Sequence, residues 1–142
     1  MSKLAVIYWS GTGNTEAMAQ AVVEGAREAG ADASLFSVDQ ISAADAAGYD
    51  RLALGCPAMG AEVLEEGEFE PFFEALSASL SGKRVALFGS YGWGDGQWMR
   101  DWYDRADAAG AVLQGSEGLI CNEAPDEDAL ASCRALGRAL AG

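Results

Sequence analysis

An α/β fold, with an open parallel sheet covered by helices on both faces, is what this sequence predicts. Three observations carry that reading. Short apolar runs and amphipathic helical patterns alternate about five times along the 142 residues. The apolar runs are nearly continuous rather than alternating, as in strands buried on both faces. A turn rich in glycine and hydroxyls follows the first run and opens the first helix.

The strands are expected at residues 4–9, 33–38, 52–56 and 85–88. A fifth falls less clearly within 111–113 and 119–121, with Gly115 and Gly118 interrupting it. Between them, residues 15–29 carry Met18, Val22, Ala26 and Ala29 at helical spacing, and Gly30 supplies a stop. Residues 69–80 place Phe69, Phe72, Phe73, Leu76 and Leu80 on one stripe. Residues 97–109 carry Trp98, Trp102, Tyr103 and Ala106, and residues 126–140 carry Leu130, Cys133, Leu136 and Leu140. Asp126, just after Pro125, suits an N-cap. Residues 41–47 bridge the second and third strands. No linker divides the chain, so one domain over residues 1–142 is expected.

Composition narrows the chemistry. Nine basic against 22 acidic residues give a net charge of −13, which disfavours nucleic acid and anionic membranes as partners and favours basic proteins. There is no histidine, which excludes Ser-His and Cys-His nucleophiles. Cys56, Cys121 and Cys133 show no CxxC spacing, so no metal site is expected and the three read as buried, reduced thiols. No apolar run approaches the roughly 20 residues of a membrane span, and the N-terminus lacks a signal-peptide pattern. A cytoplasmic location is expected. Any chemistry must come from a bound cofactor, or there is none.

In parallel α/β sheets ligands collect at the C-terminal strand ends. After the first strand stands Ser10-Gly11-Thr12-Gly13-Asn14-Thr15. Gly11 and Gly13 permit tight turns, the helix start offers free N–H groups, and Ser10, Thr12, Asn14 and Thr15 add side-chain donors. These groups suit a terminal phosphate. The loop is neither GxxxxGK[ST] nor GxGxxG, and no basic residue lies between Lys3 and Arg27. A phosphate here is therefore held by neutral donors and the helix dipole. After the third strand comes Gly55-Cys56-Pro57-Ala58-Met59-Gly60-Ala61-Glu62, and after the fourth Gly89-Ser90-Tyr91-Gly92-Trp93-Gly94-Asp95-Gly96. Four glycines in eight residues read as an irregular loop that holds Trp93 at the rim. Met59 and Trp93 can sandwich a flat ring, with Glu62 accepting from a ring N–H. A phosphorylated flavin fits better than a nucleotide, because no ribose-binding acid stands at the expected place.

The segments SGTGNTEAMA at 10–19, GCPAMGAE at 55–62, EFEPFFE at 68–74 and GSYGWGDG at 89–96 closely resemble the short-chain flavodoxins of clostridial type. The resemblance covers almost the whole chain. It implies a three-layer sandwich around a five-stranded parallel sheet of order 2-1-3-4-5, with one non-covalent FMN. It implies phosphate binding by Ser10, Thr12, Asn14, Thr15 and the backbone from Gly11 through Gly13 to Thr15, with help from Ser90. It places Met59 on the inner and Trp93 on the outer ring face, and Glu62 on flavin N3–H. It sets the backbone of Tyr91 and Gly92, and the turn from Pro57 and Ala58, around the ring. Gly60 is implied as a redox switch whose carbonyl turns toward flavin N5 in the semiquinone. Pro57 stands where some members have Ser, and Ala61 where several have Asp, Asn or Ser.

The implied function is low-potential one-electron transport, cycling FMN between semiquinone and hydroquinone in parallel with ferredoxin. The implied partners are ferredoxin- or flavodoxin-dependent oxidoreductases with basic docking patches, met by a monomer. The alternative is an FMN-dependent quinone or azo reductase on the same fold. Such an enzyme needs an open substrate pocket over the ring, which Trp93 argues against.

Overall fold

The computed structural model describes residues 3–60, 62–92 and 94–142. Five helices and six strands alternate among these residues: β1 (Lys3–Tyr8), α1 (Asn14–Glu28), β2 (Asp32–Ser37), α2 (Ala43–Ala46), β3 (Arg51–Gly55), α3 (Phe69–Ser77), β4 (Arg84–Tyr91), α4 (Gln97–Ala108), β5 (Val112–Leu113), β6 (Leu119–Asn122) and α5 (Glu127–Ala141). The sheet runs β2-β1-β3-β4-β5, with β6 also on β4, and every pairing is parallel. The expected order holds. The fifth position is filled by two short strands, because residues 114–118 leave the sheet at Gly115, whose φ is 84°.

Period-two alternation divides the core into two layers. On one face Ala5, Ile7, Leu52, Leu54, Val85 and Leu87 meet Phe69, Phe73, Leu76, Trp98 and Trp102 of α3 and α4. On the other Leu4, Val6, Ala53, Ala86 and Phe88 meet Met18, Val22 and Ala26 of α1 and Cys133 and Leu140 of α5. Trp102 sits edge-on to both Phe69 and Phe73, at 5.4 and 5.9 Å between ring centroids. Asp126 caps α5, accepting from the Ala129 N–H at 2.8 Å.

Two expectations need correction. Residues Gly89–Tyr91 are not loop but the end of β4, because they pair with Ile120–Asn122 of β6. Glycine at 89 is a close-approach requirement: a Cβ there would lie 2.1 Å from the Cys56 carbonyl oxygen. Of the three free thiols, Cys56 and Cys133 are buried, but Cys121 is only half-buried, since β6 is an edge segment.

Helices α1 and α5 touch through glycines. A Cβ at Gly137 would fall 2.0 Å from the Val22 carbonyl oxygen, and one at Gly25 would fall 1.9 Å from that of Arg134. Gly137→Ala is therefore expected to destabilise the fold by about 1–3 kcal/mol through overpacking, despite the better helix propensity of Ala. Urea unfolding checks this; a raised midpoint would contradict it.

Candidate functional site

Parallel register brings the ends of β1, β3 and β4 to one edge, with Tyr8, Gly55 and Phe88 side by side. The ladder then runs on past the strands. The Trp9 N–H donates to the Gly55 carbonyl at 3.0 Å, the Cys56 N–H to Phe88 at 3.1 Å and the Ala58 N–H to Ser90 at 3.0 Å. These bonds hold three segments together: residues 10–13, 56–60 and 90–92.

The first segment is braced from within. The Ser10 hydroxyl accepts from the Gly13 N–H at 3.0 Å. Gly13 has a φ of 94° and starts α1 with no side-chain cap, so the first-turn N–H groups of α1 stay available to an anion. Thr15 is 1% exposed, and its hydroxyl accepts from the Ser90 N–H at 3.4 Å, joining α1 to β4.

A cavity of about 320 Å³ opens between these segments. Gly11, Thr12 and Asn14 line one end; Pro57, Ala58, Met59 and Gly60 line one wall; Ser90, Tyr91 and Gly92 line the other. Trp9 and Glu123 line it too, outside the residues that the sequence motifs point to. No Lys or Arg is among the described lining residues. Ser10, Gly13, Thr15 and Glu62 are not among the lining residues; Ser10 and Thr15 brace the loop through their hydrogen bonds to Gly13 and Ser90. Trp93 lies outside the described residues.

Glu62 closes a turn, its N–H donating to the Met59 carbonyl at 2.8 Å, with an unusual φ of 53°. Its Oε1 is buried without a hydrogen-bond partner. A buried carboxylate oxygen left this way is costly unless a donor arrives. A Cβ at Gly60 or Gly92 would meet nothing within 4 Å beyond the adjoining residues. Glu62, not itself a lining residue, has its side chain against Gly94. The uncapped helix start at one end and the glycine-containing walls fit an elongated ring-and-phosphate ligand such as FMN.

The turn before α3 is also fixed. Partial burial pushes the Glu65 carboxyl up, but backbone N–H groups of Phe69, Glu68 and Gly67 outweigh it and hold it below the usual carboxylate range. The Trp98 indole donates to the Cys56 carbonyl at 3.1 Å in a fully buried setting. A second groove, also about 320 Å³, lies between α4 and residues 116–120. Its Arg100 is paired with Asp95 at 3.0 Å.

The flavodoxin family model matches residues 6–137. The chain belongs to the flavodoxin family. It is 49% identical to a flavodoxin of Clostridium beijerinckii over 97% of this chain and 99% of that one, and 47% identical to one of Megasphaera elsdenii over 96% of each. The solution structure of two-electron reduced Megasphaera elsdenii flavodoxin superposes with a TM-score of 0.87 at 46% identity, covering 97% of this chain and 98% of that one.

Within this flavodoxin, sequence reasoning missed Trp9 and Glu123 for different reasons. Trp9 falls at the end of the expected first strand, although an aromatic abutting a glycine-rich loop is a legible signal. Glu123 follows the interrupted fifth strand and is set by a left-handed φ of 57° and its N–H bond to the Tyr91 carbonyl at 2.7 Å. Neither feature shows in a residue pattern.

Burial pushes the Cys56 and Cys133 thiols up to about 12 from 9.0. Thiol reagents at neutral pH are expected to modify Cys121 first and the other two only on unfolding. The stability these buried neutral thiols contribute is complete below pH 9.0 and is lost as pH rises toward about 12. Mass-resolved labelling checks the order; equal rates at the three thiols would contradict it.

Proposed function

We propose that residues 10–15, 57–62 and 90–93 hold FMN and that residues 1–142 form one FMN-binding domain serving low-potential electron transport. Membership of the flavodoxin family makes the chain an FMN-binding electron carrier rather than an enzyme. When bound, FMN supplies one- and two-electron redox chemistry at its ring.

The protein's own part is to bind, orient and bias. The uncapped start of α1 and the Thr12 and Asn14 side chains take the phosphate through neutral donors. The unpartnered Glu62 Oε1 is assigned to a ring N–H, and the cavity shared by the three loops, with the uncapped start of α1 at its end, is the observation that carries the reading. Met59 and Trp93 cover the ring faces. At Gly60 the lack of a side chain widens the backbone conformations through which its carbonyl can turn toward or away from the ring.

Electrons delivered to this pocket arrive beside Glu123, with no lining cation among the described residues. Added negative charge is disfavoured there, so electrons are passed on at low potential. The net charge of −13 orients the carrier on basic patches of oxidoreductases. We read the carrier as a cytoplasmic monomer; no described helix is long and apolar enough to cross a membrane.

Spectroelectrochemistry of the FMN-loaded protein is expected to resolve two one-electron waves, the second at low potential. Gly60→Ala is expected to bring the waves closer: the added Cβ meets no neighbour, but a side chain narrows the backbone conformations through which the carbonyl turns. A single two-electron wave in the parent protein would favour the reductase instead.

A further inference from the structure

We propose that Trp9, held by Glu68, is a positioning residue that sets the shape of the anion loop. This rests on the reading that residues 10–15 take the FMN phosphate. Trp9 leaves β1 with its N–H on the Gly55 carbonyl, and its indole swings under the loop. A Cβ at Gly11 would lie 3.1 Å from the Trp9 Cη2 and 3.3 Å from Cζ3, so the ring fills the space beneath Gly11. The same ring lines the cavity.

The far edge of the indole is tied down. Its Nε1–H donates to the Glu68 Oε1 at 3.2 Å. The Glu68 backbone is itself held, its N–H donating to the Glu65 carboxylate at 2.7 Å, and the Glu65 N–H donates to the Cys56 Sγ at 3.4 Å. A continuous chain of contacts thus runs from the end of β3 through residues 65–68 and the indole to the phosphate loop. The loop needs such support. It holds two glycines and α1 has no side-chain cap, so an unsupported loop would have to be ordered at the ligand's expense.

The tether acts on the phosphate half of the cavity. The ring half stands on residues 57–62 and 90–92. Its loss must therefore separate FMN from riboflavin, which lacks the phosphate.

The test is flavin fluorescence quenching by the flavin-free protein, with FMN and with riboflavin. Trp9→Phe is expected to weaken FMN roughly 3- to 10-fold, the range one net hydrogen bond supplies, and to leave riboflavin unchanged. Glu68→Ala should match it, and the double variant should lose no more than either single one. Glu68→Gln keeps an acceptor oxygen and should bind FMN at least as tightly as the parent; it also removes the charge, so its contrast with Ala isolates the acceptor. Glu68 is exposed, which keeps the test open should Trp9→Phe fold poorly. Equal losses for FMN and riboflavin, an unchanged FMN affinity or additive losses in the double variant would overturn the tether. A parent protein that binds riboflavin as tightly as FMN would overturn the phosphate reading itself, and the tether with it.

Discussion

The backbone of Cys56 is the joint on which the functional end depends. Its N–H extends the ladder to Phe88, and its carbonyl accepts the Trp98 indole at 3.1 Å. The residue is wholly buried, so losing either partner would leave a polar group unsatisfied at a cost of about 1–3 kcal/mol. Gly89 is required opposite that carbonyl, and β4 can reach Tyr91 because the approach is this close. With β3 ended in this way, Pro57–Gly60 face the end of β4, and Trp98 fixes the start of α4. The cavity is what remains between them.

Much of the fold was legible because a parallel sheet buried on both faces writes itself as continuous apolar runs. β1 to β3 fall within one residue of expectation. The limits are equally physical. The stripe at Phe69–Leu80 reports burial, and Leu80 is indeed fully buried, yet α3 ends at Ser77. Glycines in β4 read as loop because the pairing that makes them strand comes from β6, a short segment after an interruption. In the site, hydroxyl and glycine content marked residues 10–15, while the left-handed turn at Glu123 and the tether of Trp9 arise from contacts between segments distant in sequence.

The charge balance has a structural side. Eight of the nine basic residues are engaged away from the cavity. Arg51 and Arg84 bind carbonyls at the end of α5, Lys83 those of Ala47 and Tyr49, and Arg27 that of Ala33. Arg100, Arg105 and Arg138 pair with acids, and Lys3 lies over the Tyr49 ring. Cations stitch the scaffold while the cofactor end is left to neutral donors and carboxylates. That division is consistent with a carrier that holds a phosphate without neutralising it and keeps negative charge near the ring.

The most direct test is amide chemical-shift mapping of the isotope-labelled, flavin-free protein as FMN is added. The largest changes are expected on residues 11–15, 58–60, 90–92 and 123, which border or support one cavity. Changes centred instead on Met99, Tyr103, Ser116 and Gly118, in the groove of equal volume beside α4, with the three loops unmoved, would contradict it.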